Sequence, residues 1–361
     1  MFSLKYADIL ERIDEIDPRG YAKSRNYIDG DVSLLSPYIS RGIISTKFVM
    51  ESLFKKGYSF SECEKFIQEL AWRDYWQQIW ITKKDSIDHD LKHDQPDVQN
   101  HEMPSAILEA KTNITAIDKA IDQLYDTGYL HNHLRMYIAA ICCNNGKSHW
   151  KVPAQWMYYH LKDGDWASNA LSWQWTAGSN SIKKYIANQE NINRYCHTED
   201  QHTFLDKSYE EIAKMPLPKI LGKTEIPMLA SSNIISKELD IDQSVPTILY
   251  NYYNLDPLWH SSEVANRVFI VEPSIFKKYP VSVKNLEYAI NMGKENILSL
   301  QVYYGEFSEL QKEYQIKKFI FKEHPLNHYI GIEENRDWMF PIQGYYDSFF
   351  KFWNKAKKTL R

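Results

Sequence analysis

Apolar residues recur every three or four positions through the first two hundred residues of this chain, and then the rhythm changes. Phe48–Leu53, Cys63–Ile81, Ile114–Tyr125, His131–Cys143 and Ala154–Leu161 each carry the spacing that lines one face of an α-helix. Next comes Pro216-Leu-Pro218-Lys-Ile-Leu-Gly222-Lys-Thr-Glu-Ile-Pro227, whose prolines favour extended backbone. Beyond it, short apolar runs at Thr247–Tyr253, Arg267–Val271, Leu298–Tyr304 and Lys318–Phe321 read as buried strands. Helical patterns at Val283–Met292 and near Phe307–Tyr314 separate them. Strands that alternate with helices call for a parallel sheet. The expected architecture is therefore mostly α: a helical domain over 1–214, a proline-containing linker over 215–245 and a small α/β domain over 246–361. An aromatic terminal helix is expected within Gly344–Trp353.

Composition narrows the classes. Charged residues make up 25% and hydrophobic ones 43% of the 361, which is globular and excludes a disordered chain. No run approaches 18 apolar residues, and charges are spread through Met1–Arg12, so neither a membrane-spanning helix nor a secretory leader is expected. Cys63, Cys142, Cys143 and Cys196 have no CxxC or framework spacing and are expected as free thiols. A soluble, cytoplasmic monomer follows as the expectation. The net charge of −4 excludes a polycation, so contact with nucleic acid would need a local basic groove. His131 and His133 are two apart, whereas a zinc-binding helix uses four, and no metal is expected. There is no GxGxxG or Walker loop to hold a dinucleotide in the Rossmann manner. Aromatic residues reach 14%, which fits either a well-filled core or an aromatic-lined site.

Four segments carry chemistry. In Glu69-Leu-Ala-Trp72-Arg73-Asp-Tyr-Trp76-Gln-Gln-Ile-Trp80, positions 69, 72, 73, 76 and 80 share one helical stripe. The plain alternative is that Trp76 and Trp80 are core and Glu69 with Arg73 is a surface pair worth about 0.3 kcal/mol. In Thr127-Gly-Tyr-Leu-His131-Asn132-His133-Leu-Arg135-Met136, residues Asn132, Arg135 and Met136 share a face. A semi-buried Arg135 requires a carboxylate, because an unpaired buried charge is very costly, and Asp163 is the candidate. Near the N-terminus, Ser36 before Pro37 reads as an N-cap with proline at the first helical position. Such a helix start either holds a pyrophosphate or is a capped helix and nothing more. Finally, Asp163-Gly-Asp165-Trp-Ala-Ser-Asn169-Ala-Leu-Ser-Trp173-Gln-Trp175 sets carboxylates, an amide and indoles side by side, with Trp150 upstream. Carboxylates are rarely buried unpartnered, whereas tryptophans usually are buried. Their mixture suits a pocket with polar edges and flat π-surfaces, as a flavin needs.

In this order and near this spacing, the segments from about Tyr21 to Tyr195 resemble the FAD-binding domain of the photolyase/cryptochrome family. The resemblance implies an all-helical domain holding FAD non-covalently. Tyr21, Ser33 and Ser36 match contacts on the phosphate side, Arg73 stands at a FAD-contacting position, and Asn132 is a further cofactor contact. Arg135 and Asp163 match the ion pair beside the isoalloxazine, Asp165 the carboxylate at the pyrimidine edge, and Asn169 the residue facing flavin N5. It further implies light-driven splitting of cyclobutane pyrimidine dimers in DNA by an electron from reduced FAD. Glu69 matches the acid that hydrogen-bonds the damaged bases, Trp72 and Trp175 match the aromatic walls, and Met136 matches an apolar contact. Asn132 and Met136 also stand where (6-4) photolyases place histidines. Trp173 and Trp150 match the proximal and middle members of the photoreduction chain, while the distal position falls near Asn100, which is not a tryptophan.

The departures also carry expectations. Arg25, His133, Lys183 and Lys184 remain as candidate DNA contacts, but His133 and Ala187 stand where lesion-flanking arginines are expected, which favours single-stranded DNA. Alternatives are a cryptochrome-type photoreceptor and a repair-inactive nucleic-acid-binding flavoprotein. The family's antenna domain usually precedes the FAD domain, whereas the α/β texture here follows it. Ile248–Asp256, Arg267–Pro273, Gln301–Phe307 and Lys317–Phe321 fit either a reordered antenna-like domain or an unrelated α/β module. An antenna chromophore is neither implied nor excluded.

Overall fold

The computed structural model describes residues 2–230 and 238–360, so part of the expected linker lies outside the described residues. Contacts group the chain into two compact units that do not follow chain order. The first unit comprises Met1–Arg19, Ser33–Thr82 and Ala230–Arg361; the second comprises Gly20–Val32 and Lys83–Leu229.

The second unit is helical. Its main helices span Thr115–Thr127, Asn132–Ala140, Lys151–His160, Trp166–Ala177 and Gln189–Cys196. The expected helix at His131–Cys143 ends at Ala140 and continues as a π-helical turn, Ile141–Asn145, in which Cys142 and Cys143 are buried thiols. Two residues of the proline-containing segment pair in a small antiparallel sheet: β1 (Met103–Pro104) against β2 (Thr224–Glu225). That stretch is thus not wholly a free linker, because Lys223 also accepts a backbone bond from Ser105.

The first unit joins helices Tyr6–Asp14, Thr46–Lys55 and Phe60–Lys83 to a five-stranded sheet. Its strands are β3 (Thr247–Tyr250), β4 (Asn266–Val271), β5 (Gln301–Tyr304), β6 (Phe319–Lys322) and β7 (Ile332–Glu334). They lie in the order β5-β4-β3-β6-β7, every neighbouring pair parallel. All residues of β3 and β4 are buried, the pattern of strands covered on both faces. Helices Pro273–Lys278 and Val283–Asn296 carry the chain from β4 to β5, and Phe307–Glu313 from β5 to β6. Leu249, Val268, Ile270, Phe307, Leu310 and Phe319 form the core on one side. β3 stops at Tyr250, short of the expected Tyr253, because Asn251 Oδ1 accepts from Tyr253 N at 3.0 Å and turns the chain. Gly42, at φ +66°, lies so close to Tyr253 that a Cβ would sit 2.5 Å from its carbonyl oxygen.

The Phe60–Lys83 helix is bound along its length by the C-terminal segment. Arg336 donates to Gln77 Oε1 at 2.8 Å, Met339 N to Asp74 Oδ2 at 2.9 Å and Gly344 N to Gln78 Oε1 at 2.8 Å. Tyr75 OH donates to Tyr346 O at 3.0 Å. The segment ends in the helix Phe349–Ala356, capped by Ser348 Oγ, with Phe349, Phe352, Trp353 and Ala356 buried. Among the described residues, no helix is long and apolar enough to cross a membrane.

Candidate functional site

The site residues are built on a helical hairpin of the second unit. Only Leu161–Asp165 separates Lys151–His160 from Trp166–Ala177, so the two helices run antiparallel. Asn169 Nδ2 donates to Ala154 O at 2.8 Å and fixes their register. Asp165 is the N-cap of the second helix, its Oδ1 accepting from Ser168 N at 2.7 Å. Asp165, Asn169 and Trp173 follow at four-residue steps on one face. All three are buried, as is Trp150.

Beside the hairpin, Arg135 Nη2 reaches both oxygens of Asp163, at 3.0 and 2.8 Å, and Arg135 Nε donates to Leu130 O at 2.9 Å. The Asp163 side chain is 2% exposed and that of Arg135 22%, so the carboxylate is the group that depends on its partner. His131 caps the helix that carries Arg135, its Nδ1 accepting from His133 N at 3.2 Å. Burial, reinforced by repulsion from His133 and Arg135, lowers His131 to about 4 and keeps it neutral for that task.

Burial also lowers His133. Its ring stacks on Tyr137 at 4.4 Å, and its Nδ1 lies 2.9 Å from Asn26 O. The imidazole therefore supplies no fixed cation where an arginine was expected. Lys184 pairs with Asp97 at 2.6 Å, Lys183 is exposed, and Ala187 is buried. Trp175 is 38% exposed, its ring 6.1 Å from that of Tyr185. Tyr21 and Met136 are half-buried and Asn132 is exposed, while Arg25 donates to Asn26 Oδ1 at 2.7 Å.

The other expected residues belong to the first unit. Ser36 is the first residue of a five-residue helix, Ser36–Ser40, rather than its cap; Leu35 holds the cap position without a side-chain bond. Ser33 Oγ accepts from Leu35 N at 3.5 Å, and Arg73 donates to Ser40 Oγ at 2.6 Å. Glu69 pairs with Lys65, one turn back, at 2.7 Å. Trp72 stacks on Phe349 with ring centres 3.7 Å apart and planes 9° apart. Trp76 and Trp80 are buried, as the plain reading of that stripe expected.

Sequence reasoning missed two carboxylates. Trp150 Nε1 donates to Asp90 Oδ1 and Trp166 Nε1 to Asp88 Oδ1, each at 2.7 Å. A buried indole N–H needs an acceptor, which was the available signal, but separations of 60 and 78 positions hide which one it is.

The donor set of this site suits a flavin. Trp173 Nε1 is buried without a hydrogen-bond partner among the described residues. Asn169 Oδ1 accepts no bond among them, and Arg135 and Asp163 form a fixed pair of opposite charges. A flat ring with donor and acceptor edges fits such a set. Fold and site together define a helical flavin-binding domain. The chain matches the family model for the FAD binding domain of DNA photolyase over residues 66–248, just over half of its 361 residues, and belongs to that family. Its cofactor is FAD.

The chain is 28% identical over 169 residues to the deoxyribodipyrimidine photo-lyase of Alkalihalophilus pseudofirmus, covering 44% of this chain and 34% of that protein. It is 32% identical over 162 residues to that of Streptomyces griseus, covering 44% and 35%. The chain thus spans about a third of the length of the curated relatives it matches. A cryptochrome from Synechocystis sp. PCC6803 is similar at 22% identity and a TM-score of 0.47, over 52% of this chain and 42% of that one.

Proposed function

We propose that this protein is a light-driven DNA repair lyase that splits cyclobutane pyrimidine dimers. The observation that carries the reading is the Arg135–Asp163 pair, its carboxylate buried, beside a hairpin presenting Asp165, Asn169 and Trp173 on one face. FAD, when bound, supplies light absorption and a one-electron transfer. Arg135 and Asp163 hold and orient it, Asp165 and Asn169 engage its polar edges, and the helices exclude water. The resemblance gives Glu69, Trp72, Asn132, Met136 and Trp175 the task of holding the dimer.

A preference for single-stranded DNA belongs to this reading. Neutral His133, buried Ala187 and the Lys184–Asp97 pair leave few cations for phosphates. Extracting a dimer from paired DNA costs a few kcal/mol that such contacts would have to offset. The salt dependence of binding is correspondingly shallow.

The Trp72–Phe349 stack favours a second reading, a photoreceptor that keeps FAD and does not repair, because one face of Trp72 is already taken. Repair of dimer-containing single strands under blue light, wild type against Glu69→Ala, separates the two. Repair that falls in the variant while flavin content holds supports the lyase. No repair by a flavin-loaded wild type refutes it in favour of the photoreceptor.

A further inference from the structure

An oxidised tryptophan needs somewhere to send its proton, and Trp150 cannot use water directly, since it is fully buried. The tryptophan expected further out, near Asn100, is absent. Asn100 is instead tied into its loop, its Oδ1 accepting from Ser148 Oγ and Glu102 N, each at 3.1 Å. Asp90 stands against Trp150 in its place. Its Oδ1 accepts the indole N–H at 2.7 Å, a length typical of a charge-assisted bond. Three further contacts hold that geometry. Gln95 N donates to Asp90 Oδ2 at 2.7 Å, Trp150 N donates to Gln95 Oε1 at 2.8 Å, and Gln95 Nε2 donates to Ser148 O at 2.8 Å. His149 Nε2 lies 3.3 Å from Asp90 Oδ1, and its Nδ1 accepts from Lys151 N, also at 3.3 Å, which fixes the tautomer with the proton on Nε2. His101, whose ring centre is 5.0 Å from that of His149, Lys151 and the Cys143 thiol also face this cluster. The Asp90 side chain is 17% exposed, so it links a sealed indole to solvent.

We propose that Asp90 positions Trp150 for electron supply and takes its indole proton when Trp150 is oxidised; this rests on Trp173 and Trp150 forming the electron route. The oxidant is the photoexcited flavin. One electron leaves Trp173 for it, and one electron from Trp150 refills Trp173. The N–H bond of the Trp150 radical cation then breaks, its proton passing to Asp90 Oδ1. A neutral indolyl radical and a neutral carboxylic acid remain. An external reductant later returns the electron, and the proton comes back from Asp90 or water. Deprotonation stops the hole from returning, which is the task a third, exposed tryptophan would otherwise have.

Flash photolysis of the holoprotein tests this, with Asp90→Asn, Asp90→Glu and Trp150→Phe. Wild type should form the neutral indolyl radical, and formation should slow severalfold in heavy water. Asp90→Asn should leave a radical cation that recombines about tenfold faster, the effect of about 1.4 kcal/mol on a barrier, and Asp90→Glu should restore the neutral radical. Independently of flavin, the Trp150 indole N–H resonance, assigned by its loss in Trp150→Phe, should move upfield in Asp90→Asn. A neutral radical formed at the wild-type rate in Asp90→Asn, no isotope effect in wild type, or an unmoved resonance each overturns the role of Asp90. Undiminished radical formation in Trp150→Phe instead removes the electron route on which the proposal rests.

Discussion

Replacing Asp163 by alanine tests the centre of the site most directly. The wild-type carboxylate accepts two bonds from Arg135 Nη2, at 3.0 and 2.8 Å, and its side chain is 2% exposed. Removing one partner of a buried pair costs about 3–5 kcal/mol, because the remaining charge is left without compensation. Arg135 is 22% exposed, so water recovers part of its hydration, and it keeps its bond to Leu130 O. The lower end, about 3 kcal/mol, is therefore expected. For a domain of this size that corresponds to a fall in Tm of about 6–12 °C. Asp163→Asn keeps an acceptor oxygen of the same shape and should lose about half as much. Calorimetry of both variants, with flavin content read from visible absorption, gives the answer. An Asp163→Ala protein that retains full flavin and melts within about 2 °C of wild type refutes the reasoning.

Three further outcomes are expected. Trp173→Phe should abolish light-driven flavin reduction by an external reductant while pre-reduced protein keeps any repair activity; undiminished photoreduction points to Trp166 or a tyrosine. Phe349→Ala removes a buried ring stacked on Trp72 at 3.7 Å; it should cost about 3–5 kcal/mol and red-shift tryptophan emission, and an unchanged melting curve excludes the stack. Burial raises Asp74 to about 6 and Glu272 to about 7. A carboxyl whose folded pKa lies above its unfolded value stabilises when protonated, so this contribution is complete below about pH 4 and lost as pH rises through 6 to 7. Asp74→Asn should flatten the lower part of that fall in Tm between pH 5 and 8, and an unaltered pH profile counts against it.

Periodicity made the helices legible because burial on one face leaves a 3.6-residue trace, and Thr115–Thr127 and Phe60–Lys83 fell where that trace lay. The parallel sheet was legible too, since β3 and β4 are apolar throughout. Strand ends were not, because a single Asn251 side chain turning the chain leaves no pattern. The pairing of Arg135 with Asp163 could be argued from cost alone: a buried arginine must find a carboxylate. The bonds of Trp150 and Trp166 to Asp90 and Asp88 obey the same logic, but two aspartates within three residues offered nothing to assign them. Nor could sequence place Phe349 on Trp72, since an aromatic tail fits any apolar face.

The interleaving of the two units orders the protein's birth. Everything the second unit needs has left the ribosome soon after Leu229, whereas the first unit began earlier and must wait for its last stretch. The unit that starts first therefore finishes last. In the meantime Asp74, Gln77 and Gln78 lie on a nascent helix whose partners at Met339, Arg336 and Gly344 have not been synthesised. Trp72, likewise without Phe349, presents an indole face to solvent. A ribosome that pauses between Leu229 and Arg336 would hold out a finished helical unit beside a sticky, half-made one, and chaperones that read aromatic surface would meet it there.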